Sequence, residues 1–173
     1  GLDTALKLGF AWNMGTVTTF GMGLDAAYAI DLPSIGLRAG MEIGFSRSSA
    51  EGNPELDRGA TVNVKSTLWM MPLAFFGGCR LPLAEDWALL LRAEFDALLV
   101  DNSLRENTDD LEIRERKWMP ALGGALEIDR ALGPGAVVAE LRYLYIFGDM
   151  ETVEGRLATL YINVGYRLAF PRK

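Results

Sequence analysis

Eight times along the chain, large apolar residues alternate with small or charged ones, the two-residue period of a strand with one apolar face. The first run sets Leu6, Leu8, Phe10 and Trp12 against Lys7, Gly9 and Ala11. The second sets Phe20, Met22, Leu24, Ala26 and Tyr28 against Gly21, Gly23, Asp25 and Ala27. The third opposes Leu37, Ala39, Met41, Ile43 and Phe45 to Arg38, Gly40, Glu42 and Gly44. The fourth is less regular, with Leu73, Phe75 and Leu81 against Ala74, Gly78 and Arg80. The fifth places Trp87, Leu89, Leu91, Ala93 and Phe95 opposite Arg92, Glu94 and Asp96, and the sixth places Trp118, Leu122, Leu126 and Ile128 opposite Ala121, Gly123, Ala125 and Glu127. The seventh sets Val137, Leu141, Tyr143, Tyr145 and Phe147 against Glu140 and Arg142. The eighth sets Leu160, Ile162, Val164, Tyr166, Leu168 and Phe170 against Asn163, Gly165 and Arg167. An even number of strands is what a closed antiparallel barrel requires.

The connections alternate as well. Compact segments rich in Pro, Gly and Asp, namely 31–35, 82–86 and 129–135, join the second to the third run, the fourth to the fifth and the sixth to the seventh. The opposite set is longer and more polar, around 48–63, 101–117 and 148–156, with a shorter one at 13–17. No repeat, linker or low-complexity tract interrupts the runs, so residues 1–173 read as one domain.

Charge placement decides which face looks outward. Lys7, Asp25, Arg38, Glu42, Arg80, Arg92, Glu94, Asp96, Glu127, Glu140, Arg142 and Arg167 all share the face opposite the large apolar residues, six basic and six acidic. The rest of that face is largely Gly and Ala, which a narrow eight-stranded lumen can hold and a water-facing surface has no need of. Opposite charges enclosed in a tube can pair with one another. The apolar face carries no charge in any run, as expected of a surface where Arg or Lys would cost about 2–4 kcal/mol at mid-bilayer. A soluble calycin-like barrel would place these faces the other way round. Trp12, Phe45, Trp118 and Phe147 fall near the long-loop ends, and Tyr28, Trp87, Tyr166 and Phe170 near the short-turn ends, two expected interfacial girdles. The longest uncharged apolar run, 68–79, is too short for a transmembrane helix.

With this pattern the chain resembles the small outer-membrane barrels of the OmpA/OmpX type over essentially its whole length. Its last run, 163–170, resembles the β-signal read by the barrel-assembly machinery, with Asn163 polar, then Gly165, Leu168 and a final aromatic Phe170. In many members that aromatic ends the chain, whereas Pro171, Arg172 and Lys173 follow here. The resemblance implies an all-β, eight-stranded antiparallel up-and-down transmembrane barrel in a bacterial outer membrane. Short turns would face the periplasm and long loops the exterior, with outer-membrane lipid and the assembly machinery as partners.

Several chemistries are excluded. The chain has no histidine, which removes Ser–His–Asp and Cys–His hydrolysis and His-ligated zinc. The lipid A-modifying deacylases and palmitoyl transferases of this size class also depend on His. Cys79 is the only cysteine, so there is no internal disulfide and no multi-cysteine metal site. A net charge of −6 and the lack of any basic stripe argue against nucleic acid. Glu94, Asp96, Glu127 and Glu140 could act as acid and base, but four arginines share their face, so a structural ion-pair network is expected. The segment 101–110 is rich in oxygen ligands without the spacing of a calcium loop. No cofactor or metal is expected. The function expected is a non-enzymatic membrane anchor or scaffold for a protein partner or an attached periplasmic domain. An adhesin-like surface acting through the long loops and a narrow channel stand as alternatives.

Overall fold

A strand placed in hydrocarbon has no water to satisfy its N–H and C=O groups, so its ladder must close on itself. A computed structural model describes residues 2–13, 19–32, 37–52, 64–106, 112–152 and 157–170, and among these the ladder closes. Eight strands follow in chain order: β1 (Leu2–Asn13), β2 (Thr19–Leu32), β3 (Leu37–Gly52), β4 (Val64–Ala84), β5 (Trp87–Glu106), β6 (Glu112–Leu132), β7 (Gly135–Ile146) and β8 (Ala158–Phe170). Each pairs antiparallel with its sequence neighbour, and β1 pairs with β8 from Leu2↔Phe170 to Asn13↔Thr159, leaving no edge strand.

The orientation is inside out relative to a water-soluble barrel. Leu6, Leu8, Phe10, Met41, Ile43, Phe75, Phe95, Leu122, Leu141, Ile162 and Val164 are exposed, whereas Lys7, Arg38, Glu42, Arg92, Glu94, Asp96, Glu127, Glu140, Arg142 and Arg167 are buried. The soluble calycin-like alternative would need the reverse and is set aside.

Turn chemistry sets the short-turn rim. Leu132 pairs with Gly135 across a two-residue turn, Gly133-Pro134. Gly133 has φ +59°, and the proline ring holds Pro134 at negative φ, the sign pattern of a type II′ hairpin turn. Ala84 pairs with Trp87 across the two residues Glu85-Asp86, after a register irregularity at Pro82–Ala84.

The strands are unequal. β1 and β7 have 12 residues, close to the 9–11 that a tilted strand needs to cross a bilayer. β4, β5 and β6 have 20 or 21. Two cation–π pairs bracket the apolar belt on that side: Arg130 over Trp87 at the turn end and Arg47 over Trp69 at the loop end. On β5 the outward residues from Trp87 to Leu99 carry no charge. That length is about 40 Å of strand, or about 30 Å along the membrane normal at a tilt of roughly 40°. The next outward residue is Asp101. Five further β5–β6 pairs, Asp101↔Arg116 to Arg105↔Glu112, stand beyond the belt.

One segment expected to be a loop, 101–117, is therefore largely sheet, and the described part of a second, 48–52, is strand. β5 and β6 run through most of 101–117, and β3 continues to Gly52 within 48–63. Residues 53–63 and 107–111, the turn residues 33–36 and the first loop, 14–18, lie outside the described residues.

Closure depends on close approach at the β1–β8 seam. A Cβ added at Gly165 would strike the Leu6 carbonyl oxygen and come within 2.8 Å of the Lys7 Cα. Gly165→Val is expected to abolish the heat-sensitive mobility shift of the folded barrel on SDS gels after refolding into detergent. No assembly machinery is present in that assay, so the loss would report packing and not signal recognition.

Candidate functional site

The inward positions of the eight strands build three stacked layers. Nearest the short turns, Arg38 donates to Asp3 at 2.5 Å, and Arg167 is bonded to both Glu127 and Asp129. Arg80, expected within the lumen network, lies instead at its mouth. Its side chain is 46% exposed and sits 3.4 Å from Asp129, because its inward position falls on the last turns of β4 where the lumen meets water.

The middle layer is centred on Glu42. Lys7 Nζ lies 2.5 Å from Glu42 and 2.6 Å from Glu140. Arg92 reaches Glu42 and Glu140 at 2.9 Å and Glu94 at 3.4 Å. Arg142 reaches Glu42 at 2.9 Å, Glu94 at 2.6 Å and Asp96 at 2.7 Å. Asn163 donates its amide N–H to Glu140 at 2.9 Å. Arg92 and Arg142 also lie over the rings of Phe76 and Tyr161. The four carboxylates that could have served as acid and base, Glu94, Asp96, Glu127 and Glu140, are each held by Arg or Lys. Of the expected lumen charges, only Asp25 has a side chain outside the described residues, although its backbone pairs with Lys7.

Above the ions the lumen turns apolar. Leu68, Met70, Leu98, Val100, Met119, Ala121 and Ile146 point inward and pack together, joined by Met150 and Leu157 from the segment between β7 and β8. This segment includes Gly148 at φ +112°, a backbone that residues with side chains rarely adopt. It is tied down by Lys117 Nζ donating to the Asp149 carbonyl at 2.8 Å and by Thr152 donating its N–H and hydroxyl to Glu115. Those bonds, the Thr152 N–H foremost, hold the Glu115 carboxyl below the usual carboxylate range. Of the expected polar loop 148–156, residues 153–156 lie outside the described residues, while Met150 is part of the seal.

Alternation alone missed the apolar plug. Its signal was present in the consecutive apolar residues 68–71 and 97–100, since a strand buried on both sides loses its alternation. Trp69 was missed for the same reason. The expected girdle residues Trp12, Phe45, Trp118 and Phe147 lie outward at the loop side, and Tyr28 and Trp87 outward at the turn side. Tyr166 is half-buried there and donates its hydroxyl to the Leu132 carbonyl. Of the β-signal residues, Asn163 and Gly165 point into the lumen, while Leu168 and Phe170 face outward.

On the outer face just above the belt, Asp101 is clamped by two arginines. Arg114 donates through Nε and Nη2 at 2.8 and 2.7 Å, and Arg116 through Nε at 2.7 Å. The Arg114 bonds, followed by those from Arg116, bring the Asp101 carboxyl down to about 2. The overlying guanidiniums, themselves more than half exposed, cover it; depth in the protein does not. This use of Asp101 leaves it no part in a cation site, and among the described residues no group of three or more acidic or cysteine side chains gathers to hold a metal.

No family model matches the chain, and no curated protein matches its sequence. Solved structures do. Neisserial surface protein A, NspA, superposes with a TM-score of 0.64 at 17% identity, over 98% of this chain and 97% of that one. Ail, the attachment invasion locus protein of Yersinia pestis, gives 0.54 at 13% identity over 96% and 98%, and a second structure of it holds the heparin analogue sucrose octasulfate. The outer-membrane protease OmpT of Escherichia coli gives 0.56 at 9% identity over 98% and 96%. A protease thus shares the general architecture, so architecture alone does not decide whether a barrel is catalytic.

Two outcomes test this geometry. Arg142→Leu leaves Glu42, Glu94 and Asp96 short of a shared partner and should destabilise the barrel by about 3–5 kcal/mol, read from the urea midpoint in detergent. Arg142→Lys should recover only part of this, because one ammonium cannot span three carboxylates. For Asp101 the folded value is depressed, so its contribution is fully present above the unfolded value of about 3.9 and is lost as pH falls towards about 2. The difference in thermal midpoint between wild type and Asp101→Asn should therefore shrink over that interval and stay constant from pH 5 to 8.

With the exposed apolar belt, the enclosed ions and these superpositions together, the chain has the fold of the small eight-stranded outer-membrane β-barrels.

Proposed function

We propose that the protein is a non-enzymatic, non-conducting scaffold of the bacterial outer membrane whose working surface is the sheet extension on the loop side. The observation that carries this reading is the surplus of strand. β4, β5 and β6 continue for about five to seven residues beyond the apolar belt, and the surplus is paired sheet. A barrel that served only to hold a periplasmic partner would have no use for it, so this reading joins the scaffold role to recognition at the cell exterior. The sealed lumen supports the non-conducting part, since an ionic layer, an apolar plug and a tied-down segment lie in series along the axis. The occupied carboxylates support the non-enzymatic part.

The outward side chains of the extension lean basic. Arg47, Lys65, Arg105, Arg114 and Arg116 stand against Glu51, Asp101 and Glu112, although the whole chain is acidic. An anionic partner such as a sulfated glycan suits that excess. The test compares the barrel in lipid nanodiscs with a variant in which 49–67 and 102–115 are each replaced by a short turn. Retention on immobilised heparin by the wild type alone is expected, with neither protein giving discrete current steps in planar bilayers. Equal retention of the two, retention of neither, or steady single-channel steps from the wild type would overturn the reading.

A further inference from the structure

One row of side chains marks the point where the apolar belt ends, and its chemistry is unlike that of the rows on either side. Reading across the ladder on the outer face, Arg47 of β3 pairs with Trp69 of β4, Trp69 with Asp101 of β5, and Asp101 with Arg116 of β6. The outward row beneath contains Met71, Leu99 and Trp118, all apolar. The outward row above contains Thr67, Ser103 and Arg114. Two guanidiniums, those of Arg47 and Arg116, therefore sit one step above hydrocarbon, and a third, that of Arg114, sits two steps above it. The Arg47 guanidinium carbon lies over the Trp69 ring, 4.7 Å from its centroid, and Arg114 and Arg116 are fixed by Asp101.

We propose that this row, together with Arg114 just above it, is a binding site for the phosphate-bearing headgroup of a lipid in the loop-side leaflet. Height comes first. A side chain one step above the last apolar row stands where headgroups lie, so the occupant is a lipid, and its acyl chains would rest on Met71, Leu99 and Trp118. Charge comes second. Asp101 offsets one of the three arginines, which leaves a net charge of two positive for an anion. Donor geometry comes third. Each guanidinium carries five N–H groups in a planar fork, and Arg114 and Arg116 spend only part of theirs on Asp101, so donors remain in fixed positions for phosphate oxygens. Asp101 thus acts as a positioning residue, holding two flexible side chains in register before the lipid arrives. Lys65 and Arg105 stand two outward rows higher and are too far above the hydrocarbon to share this headgroup.

The experiment uses the refolded barrel in bilayers of phosphatidylcholine containing brominated phosphatidic acid or, separately, brominated phosphatidylcholine. Tryptophan quenching reports which lipid occupies the boundary. The wild type should prefer phosphatidic acid. R47Q and R116Q should each lower that preference about fivefold, and R47Q/R114Q/R116Q should abolish it, while K65Q/R105Q leaves it unchanged. If the triple variant does not refold, the two single variants make the same comparison. No preference in the wild type, or an equal loss in K65Q/R105Q, would overturn the proposal by showing that charge acts diffusely. Displacement of phosphatidic acid by millimolar inorganic phosphate would overturn it in favour of a site for the free anion. The outcome is independent of whether the extension binds a sulfated glycan, because the lipid assay contains none.

Discussion

Everything in this molecule follows from the closure of the ladder between β1 and β8. A strand in hydrocarbon cannot leave its amides unpaired, and eight strands closed on themselves leave room inside for little more than side chains. That space explains the inward glycines and alanines, and Gly165 is one clear case because it sits against the backbone of the opposite seam strand. Lys7, its register partner on β1, delivers its ammonium to Glu42 and Glu140 across the lumen. Closure and the ionic core meet at that pair.

The core is an expensive way to fill a tube. Charges taken from water regain their solvation only where pairing is close and shared, so removal of one member costs more than its own contacts. Here the sharing is dense: Glu42 meets three cations, and Arg142 and Arg92 each meet three carboxylates. Such a network fixes the register of strands distant in sequence, since Glu42 on β3, Asp96 on β5 and Arg142 on β7 must arrive at one height. The apolar plug above it has the opposite character, relying on packing alone, and it shields the ions from water at the loop side.

The two ends of the barrel differ in kind. Tight hairpins join β4 to β5 and β6 to β7 on the turn side, whereas β4 to β6 rise well past the belt on the loop side and carry a patterned outer surface of arginines, Trp69 and Asp101. Rigid sheet beyond the membrane gives those side chains fixed positions that a mobile loop would not.

Alternation along the chain determined the strands, their number and the outward face, because a two-residue period ties every side chain to one side of a sheet; of the lumen charges it left out Asp3 and Asp129, and it counted Arg80, which sits at the mouth. It also placed Tyr28, Trp87 and Trp118 at the rims. Tertiary structure alone decided which charges meet, since the partners of Glu42 lie 35 to 100 residues away and their pairing depends on barrel stagger. It alone decided that 101–117 is mostly sheet, where polar residues that read as loop sit on strands standing in water. It also drew Met150 and Leu157 into the mouth, because an inward apolar side chain and an outward one look alike in sequence until the wall of the barrel separates them.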